Sequence, residues 1–130
     1  MDKILDPVTQ AFLGDAFYEL SVRRRLAGRP EVLAADKLHS EAVKYVKASS
    51  QAKALKIMTK DGMLTEEELD ISRKARNRKP KSIPKNADPL EYKQATAFEA
   101  LLGWHYAEGR QARAEELAEQ AMRIIDGCSI

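Results

Sequence analysis

Cysteine is nearly missing from the chain: Cys128 is the only one in 130 residues. With no second thiol there is neither a disulfide nor a cysteine-built zinc site, and a place in the Gly127-Cys128-Ser129-Ile130 tail marks Cys128 as incidental. The two histidines, His39 and His105, stand without cysteines beside them, so no transition-metal constellation forms. Any cation here is a hard one held by carboxylates, which means magnesium with manganese as a substitute. Also lacking is an apolar run of about 18 residues, the length needed to span a bilayer. The opening Met1-Asp2-Lys3-Ile4-Leu5-Asp6-Pro7 has neither the basic nor the apolar region of a signal peptide, so a cytoplasmic location is expected. No alternating β-type run, internal repeat or low-complexity tract occurs. What is left is an all-α bundle, and at 44% hydrophobic residues the chain can bury its own core as one domain over 1–130.

The net charge of +2 conceals an uneven distribution. Between Arg73 and Asn86 lie seven basic residues, Arg73, Lys74, Arg76, Arg78, Lys79, Lys81 and Lys85, and no acid. Set against the net +2, that cluster leaves −5 for the rest of the chain. A local basic cluster is what a polyanion partner requires; a solvated charge run is the plainer alternative.

Helix boundaries are marked by residue chemistry. Asp6-Pro7 sets an N-cap before a proline at the first helical position, and an apolar-rich stretch follows as far as Gly28. Residues 31–60 read as two or three helices with a break around Ala48-Ser49-Ser50, ending at Asp61-Gly62. Thr65 and Glu68 form a capping box that opens a helix to about Asn77. Pro80 and Pro84 hold a loop extended until Asp88-Pro89 repeats the first start signal and launches a helix to Gly109; a last helix covers about 111–126.

On a helical wheel the first helix puts Leu13, Ala16, Phe17 and Leu20 on its main apolar face, yet the other side carries Val8, Ala11, Phe12 and Val22 around Asp15 and Glu19. A helix apolar on two sides is enclosed, so Asp15 is expected in packed surroundings. In the fifth helix Glu99 shares a face with Tyr92, Ala95, Thr96, Gly103 and Tyr106, beside a core stripe of Phe98, Leu101, Leu102 and His105. Gly14 and Gly103 each cost a helix about 1 kcal/mol relative to alanine, and close backbone approach would account for both. If the helices cross there, Asp15 and Glu99 meet, and a shared divalent cation would relieve their repulsion. The competing reading pairs each acid with a lysine or arginine. Glu19 is a candidate to orient a bound water, or a plain surface acid. The histidines read as packed, not catalytic, and Tyr92, Trp104 and Tyr106 as a subunit interface in preference to base-stacking groups.

Two segments carry a family resemblance. Phe12-Leu13-Gly14-Asp15-Ala16-Phe17-Tyr18-Glu19-Leu20 is similar to the signature helix of the ribonuclease III enzymes, and Thr96-Ala97-Phe98-Glu99-Ala100-Leu101-Leu102-Gly103 resembles their Phe-Glu-Ala-Leu-Ile-Gly segment. Between them Arg76-Asn77-Arg78-Lys79 and Pro84-Lys85-Asn86 resemble the basic loop of the Mini-ribonuclease III branch, which lacks a double-stranded-RNA-binding domain. The resemblance implies a helical homodimer whose two sites face one RNA duplex and each cut one strand, with Asp15 and Glu99 as metal ligands. It also implies precursor 23S ribosomal RNA as substrate. Where full-length enzymes carry further carboxylates this chain has Ala11 and Thr96, so the cation would keep more of its water, one of them on the Thr96 hydroxyl. Arg73, Lys74, Arg76, Asn77, Arg78, Lys79, Lys81 and Lys85 are the expected RNA contacts, with Gln51 reaching either RNA backbone or an acid of the second motif. A non-catalytic module for structured or ribosomal RNA is the rival reading, and a protein-binding dimer a third.

Overall fold

The computed structural model describes residues 5–30, 34–80 and 82–127. Lys81 and Cys128, both named above, lie outside the described residues. Among those described there are six helices and no strand: α1 Pro7–Ala27, α2 Ala35–Val46, α3 Ala48–Lys60, α4 Glu66–Asn77, α5 Pro89–Ala107 and α6 Gln111–Ile125. Among the described residues no helix is long and apolar enough to cross a membrane.

The starts follow from capping chemistry. Asp6 accepts from the Thr9 amide at 2.9 Å ahead of Pro7, and Asp88 accepts from the Leu90 amide at 2.9 Å ahead of Pro89. At α4 the Thr65 hydroxyl accepts from the Glu68 amide (3.1 Å) while the Glu68 carboxylate accepts from the Thr65 amide (2.8 Å). The break between α2 and α3 falls at Lys47, whose extended backbone interrupts the helix one residue before the Ala48-Ser49-Ser50 expected from sequence. Ala48, Ser49 and Ser50 instead form the first turn of α3.

α5 is the central element, packing on α1, α3, α4 and α6. Phe98, Leu101 and Leu102 are 0% exposed, as the stripe predicted. Tyr18 of α1 meets Phe98 edge-on with ring centroids 5.0 Å apart, and Met58, Leu117 and Val22 close the core around them.

The face of α1 that turns inward differs from the predicted one. Ala11, Gly14, Tyr18, Ser21, Val22 and Leu26 are buried, whereas Leu20 is 67% exposed, Ala16 is exposed and Leu13 and Phe17 are half-buried. The cause is the crossing with α5. A Cβ on Gly14 would stand 1.7 Å from the Glu99 carbonyl oxygen, and one on Gly103 would stand 1.8 Å from that of Gln10. Backbone contact this close admits only glycine at the crossing itself, and it turns the Gly14 side of α1, with Tyr18, Val22 and Leu26, inward while Leu20 is left outside.

Candidate active site

The same glycine crossing builds the site, because Asp15 follows Gly14 directly and Glu99 lies one turn before Gly103. The two carboxylates come within hydrogen-bonding reach of each other, and Glu99 meets an acidic environment on a half-buried position. Burial pushes the Glu99 carboxyl up, the Asp15 and Glu19 charges add to the push, and a hydrogen bond from Gln51 pulls the other way; the result is about 8. Asp15 itself is exposed, not enclosed as the two-sided pattern of α1 suggested: it projects into an open cleft.

That cleft has a volume of about 230 Å³. Val8, Ala11, Phe12 and Asp15 of α1 form one wall, Tyr92, Lys93, Thr96 and Glu99 of α5 another, and Ala75, Arg78 and Pro80 close it from the α4 side. Thr96 donates its hydroxyl to the Tyr92 carbonyl at 2.9 Å, which leaves its oxygen as an acceptor on the cleft. Glu19 is half-buried one turn from Asp15 and pairs loosely with Arg23 at 3.8 Å. Lys93 escaped the sequence reading, although the spacing 93, 96, 99 puts it on the face of Thr96 and Glu99.

Gln51 is 2% exposed and its Nε2 donates to the Val46 carbonyl at 2.8 Å and to Glu99 Oε2 at 3.4 Å. It therefore faces the acid of the second motif. The alternative of a Gln51 contact to RNA backbone does not agree with this burial.

Of the basic residues, Arg78 lines the cleft and Lys79 and Lys85 are exposed beyond it. Arg73 and Lys74 are exposed but share Asp70, Lys74 at 3.0 Å; such surface pairs are weak and exchange readily for a phosphate. Arg76 donates to the Asn77 side chain at 3.3 Å. Arg73 and Arg76 also border a groove shared with Lys56 and Lys60 of α3. Those two lysines were missed because they lie far from the basic run in sequence and only the packing of α3 and α4 on α5, across one groove, joins them to it.

The aromatic residues do not form one stripe. Tyr92 borders the cleft, Trp104 packs on the core beneath the Arg110 guanidinium at 4.4 Å, and Tyr106, 46% exposed, sits 5.6 Å from the Phe17 ring. His39 is exposed. His105 is buried and satisfied on both nitrogens, by Glu68 at 2.6 Å and by Arg110 at 2.9 Å.

The residues fit a hard divalent cation. Two carboxylates stand together with no ion pair to either among the described residues. Both are oxygen ligands of the type magnesium prefers. No group of three or more histidine, cysteine, aspartate or glutamate side chains assembles among the described residues, so a cation on this pair keeps much of its water.

A ribonuclease III domain model matches residues 9–110, a span that includes both acids. The chain belongs to the ribonuclease III family. It is 44% identical over 122 residues to the Mini-ribonuclease 3 of Symbiobacterium thermophilum, covering 94% of this chain and 92% of that protein. Identity to the Mini-ribonuclease 3 of Brevibacillus brevis is 41% over 124 residues, covering 95% and 90%. A crystal structure of a Fusobacterium nucleatum protein superposes with a TM-score of 0.78 at 28% identity, over 91% of this chain and 92% of that one. Membership of the ribonuclease III family carries its coarse activity, endoribonucleolytic hydrolysis, and the all-α architecture is of that family's type.

Proposed function

We propose that the chain is a divalent-cation-dependent endoribonuclease for double-stranded RNA, a single catalytic domain over 1–130 in which Asp15 and Glu99 hold magnesium, or manganese in its place. One observation carries this reading: two carboxylates are forced together by the Gly14–Gly103 crossing with no cation side chain paired to either among the described residues. Uncompensated like charges at a cleft destabilise a fold unless a ligand uses them.

When bound, a divalent cation would supply a more acidic water and charge stabilisation for phosphodiester hydrolysis. The protein's own groups do the rest. Asp15 and Glu99 would hold the cation, and Thr96 and Glu19 would orient water beside them. Arg78 and Lys93 draw the scissile phosphate into the cleft by charge. Arg73, Lys74, Arg76, Asn77, Lys79, Lys81 and Lys85 serve the flanking phosphates. Duplex RNA hides its base edges in a deep major groove, so recognition runs through backbone, 2′-hydroxyls and shape.

The working species in this reading is a cytoplasmic homodimer with one site per strand. Its support is the exposed apolar side chains of α1, Phe12 (77%) and Val8 (48%) at the cleft and Leu20 (67%) further along the helix, surface a monomer has reason to cover. The paired ends of precursor 23S ribosomal RNA are the proposed natural substrate.

The test is cleavage of a long, end-labelled RNA duplex by wild type, Asp15→Asn and Glu99→Gln, with magnesium and with chelator. Cutting of both strands by wild type only with metal, and none by folded, RNA-binding variants, is the expected result. A wild type that binds the duplex and never cuts it would make this a non-catalytic RNA-binding module.

A further inference from the structure

The break between α2 and α3 leaves backbone groups to be satisfied. The Ser50 and Gln51 amides both turn to the Lys47 carbonyl, at 3.1 and 3.2 Å, so the last carbonyls of α2 need other donors. Two side chains from the first turn of α3 provide them: Ser50 Oγ donates to the Lys44 carbonyl at 2.6 Å and Gln51 Nε2 to the Val46 carbonyl at 2.8 Å. An amide nitrogen has two hydrogens. The second one of Gln51 points to Glu99 Oε2 at 3.4 Å, a long hydrogen bond. The orientation of the amide is dictated by its surroundings, because a flipped group would set an oxygen against two acceptors.

We infer that Gln51 is a positioning residue: anchored on the end of α2, it holds one oxygen of Glu99 and thereby sets how that carboxylate stands beside Asp15. This rests on the reading of Glu99 as a metal ligand. α2 and α3 contribute no acid to the cleft, yet through Gln51 the helix break reaches the metal-binding group. Groups that orient a metal ligand govern affinity by roughly 10–100-fold without touching the metal. A mere cap on α2 would govern only stability.

The experiment titrates Mn2+ into the RNA-free protein and reads the free-ion signal by electron paramagnetic resonance. Gln51→Met keeps the length and bulk of the side chain and drops its amide. Relative to wild type it should bind Mn2+ about tenfold more weakly, and the same substitution placed on Glu99→Gln should change binding less than about twofold, since the partner is gone. Gln51→Asn, with its amide drawn back by one methylene, serves if the Met variant does not fold and should also weaken binding. Mn2+ affinity unchanged in the substituted protein, or an undiminished tenfold loss on the Glu99→Gln background, overturns the inference and leaves the metal site standing. Absence of Mn2+ binding by wild type overturns the site itself and this inference with it.

Discussion

The carbonyl oxygen of Glu99 lies so close to Gly14 that a methyl group on that glycine would stand 1.7 Å from it. Both partners are backbone, which cannot swing aside. Gly14→Ala must therefore pry α1 from α5, although alanine favours a helix by about 1 kcal/mol. A net loss of about 2–3 kcal/mol in urea unfolding is expected, with cleavage reduced more than tenfold because Asp15 and Glu99 part. Wild-type stability in this variant would show that the crossing opens freely.

Glu99 is held beside Asp15 with no counter-charge among the described residues. Its carboxyl, pushed up to about 8, must take up a proton or bear the repulsion near neutral pH, and a neutral isostere removes that cost, so in chelator Glu99→Gln should be more stable than wild type by about 1–2 kcal/mol while unable to cut RNA. Thermal unfolding with and without metal checks this. A stability loss in chelator would mean that the carboxylate is a structural group.

A second buried carboxylate behaves in the opposite way. Burial alone would raise Glu68, but two 2.8 Å hydrogen bonds from Arg113, one from the Thr65 amide and one from His105 outweigh it and hold its carboxyl down to about 2. The folded pKa lies below the ordinary 4.5, so the stabilisation is present in full above that value and is lost as pH falls towards 2. Burial also lowers His105, which adds a loss in the same direction as pH drops below the ordinary histidine range. Acid unfolding should occur earlier than in Glu68→Gln compared with its own neutral-pH stability, and up to roughly 3 kcal/mol of the wild-type value should depend on this network. Parallel acid titrations of the two proteins would refute it.

RNA affinity should carry the signature of phosphate neutralisation. Lys79→Gln together with Lys85→Gln, both exposed positions beyond the cleft, should make the plot of log affinity against log salt shallower by about 2, close to one unit per lysine. Lys56→Gln with Lys60→Gln tests the groove beside Arg73 and Arg76 and should lower the slope by a similar amount. An unchanged slope in either pair removes those lysines from the RNA surface.

Local rules made much of the fold legible in advance. Asp6-Pro7, Thr65 with Glu68, and Asp88-Pro89 each start a helix where their chemistry requires, because a cap acts through neighbours three residues away. The core stripe of α5 was equally readable, since all of it is buried. The inward face of α1 was not: Leu13 and Leu20 are more apolar than Gly14 and Ser21, yet the face that carries those two, with Tyr18 and Val22, is the one buried. Hydropathy ranks transfer from water and is blind to a backbone contact that only small residues permit.

The amino-acid sequence by itself determined that this protein is helical, where most of its helices begin, and that Asp15 and Glu99 belong to two family motifs, because those properties reside in short segments. Tertiary structure alone decided that the two acids share one cleft, that Gln51 turns inward to Glu99, and that Lys93, Lys56 and Lys60 join the charged surface around them. These depend on how helices distant along the chain cross and pack. The two glycines announced that a crossing was possible, and only its 1.7 Å constraint fixed which faces, and so which charges, came together.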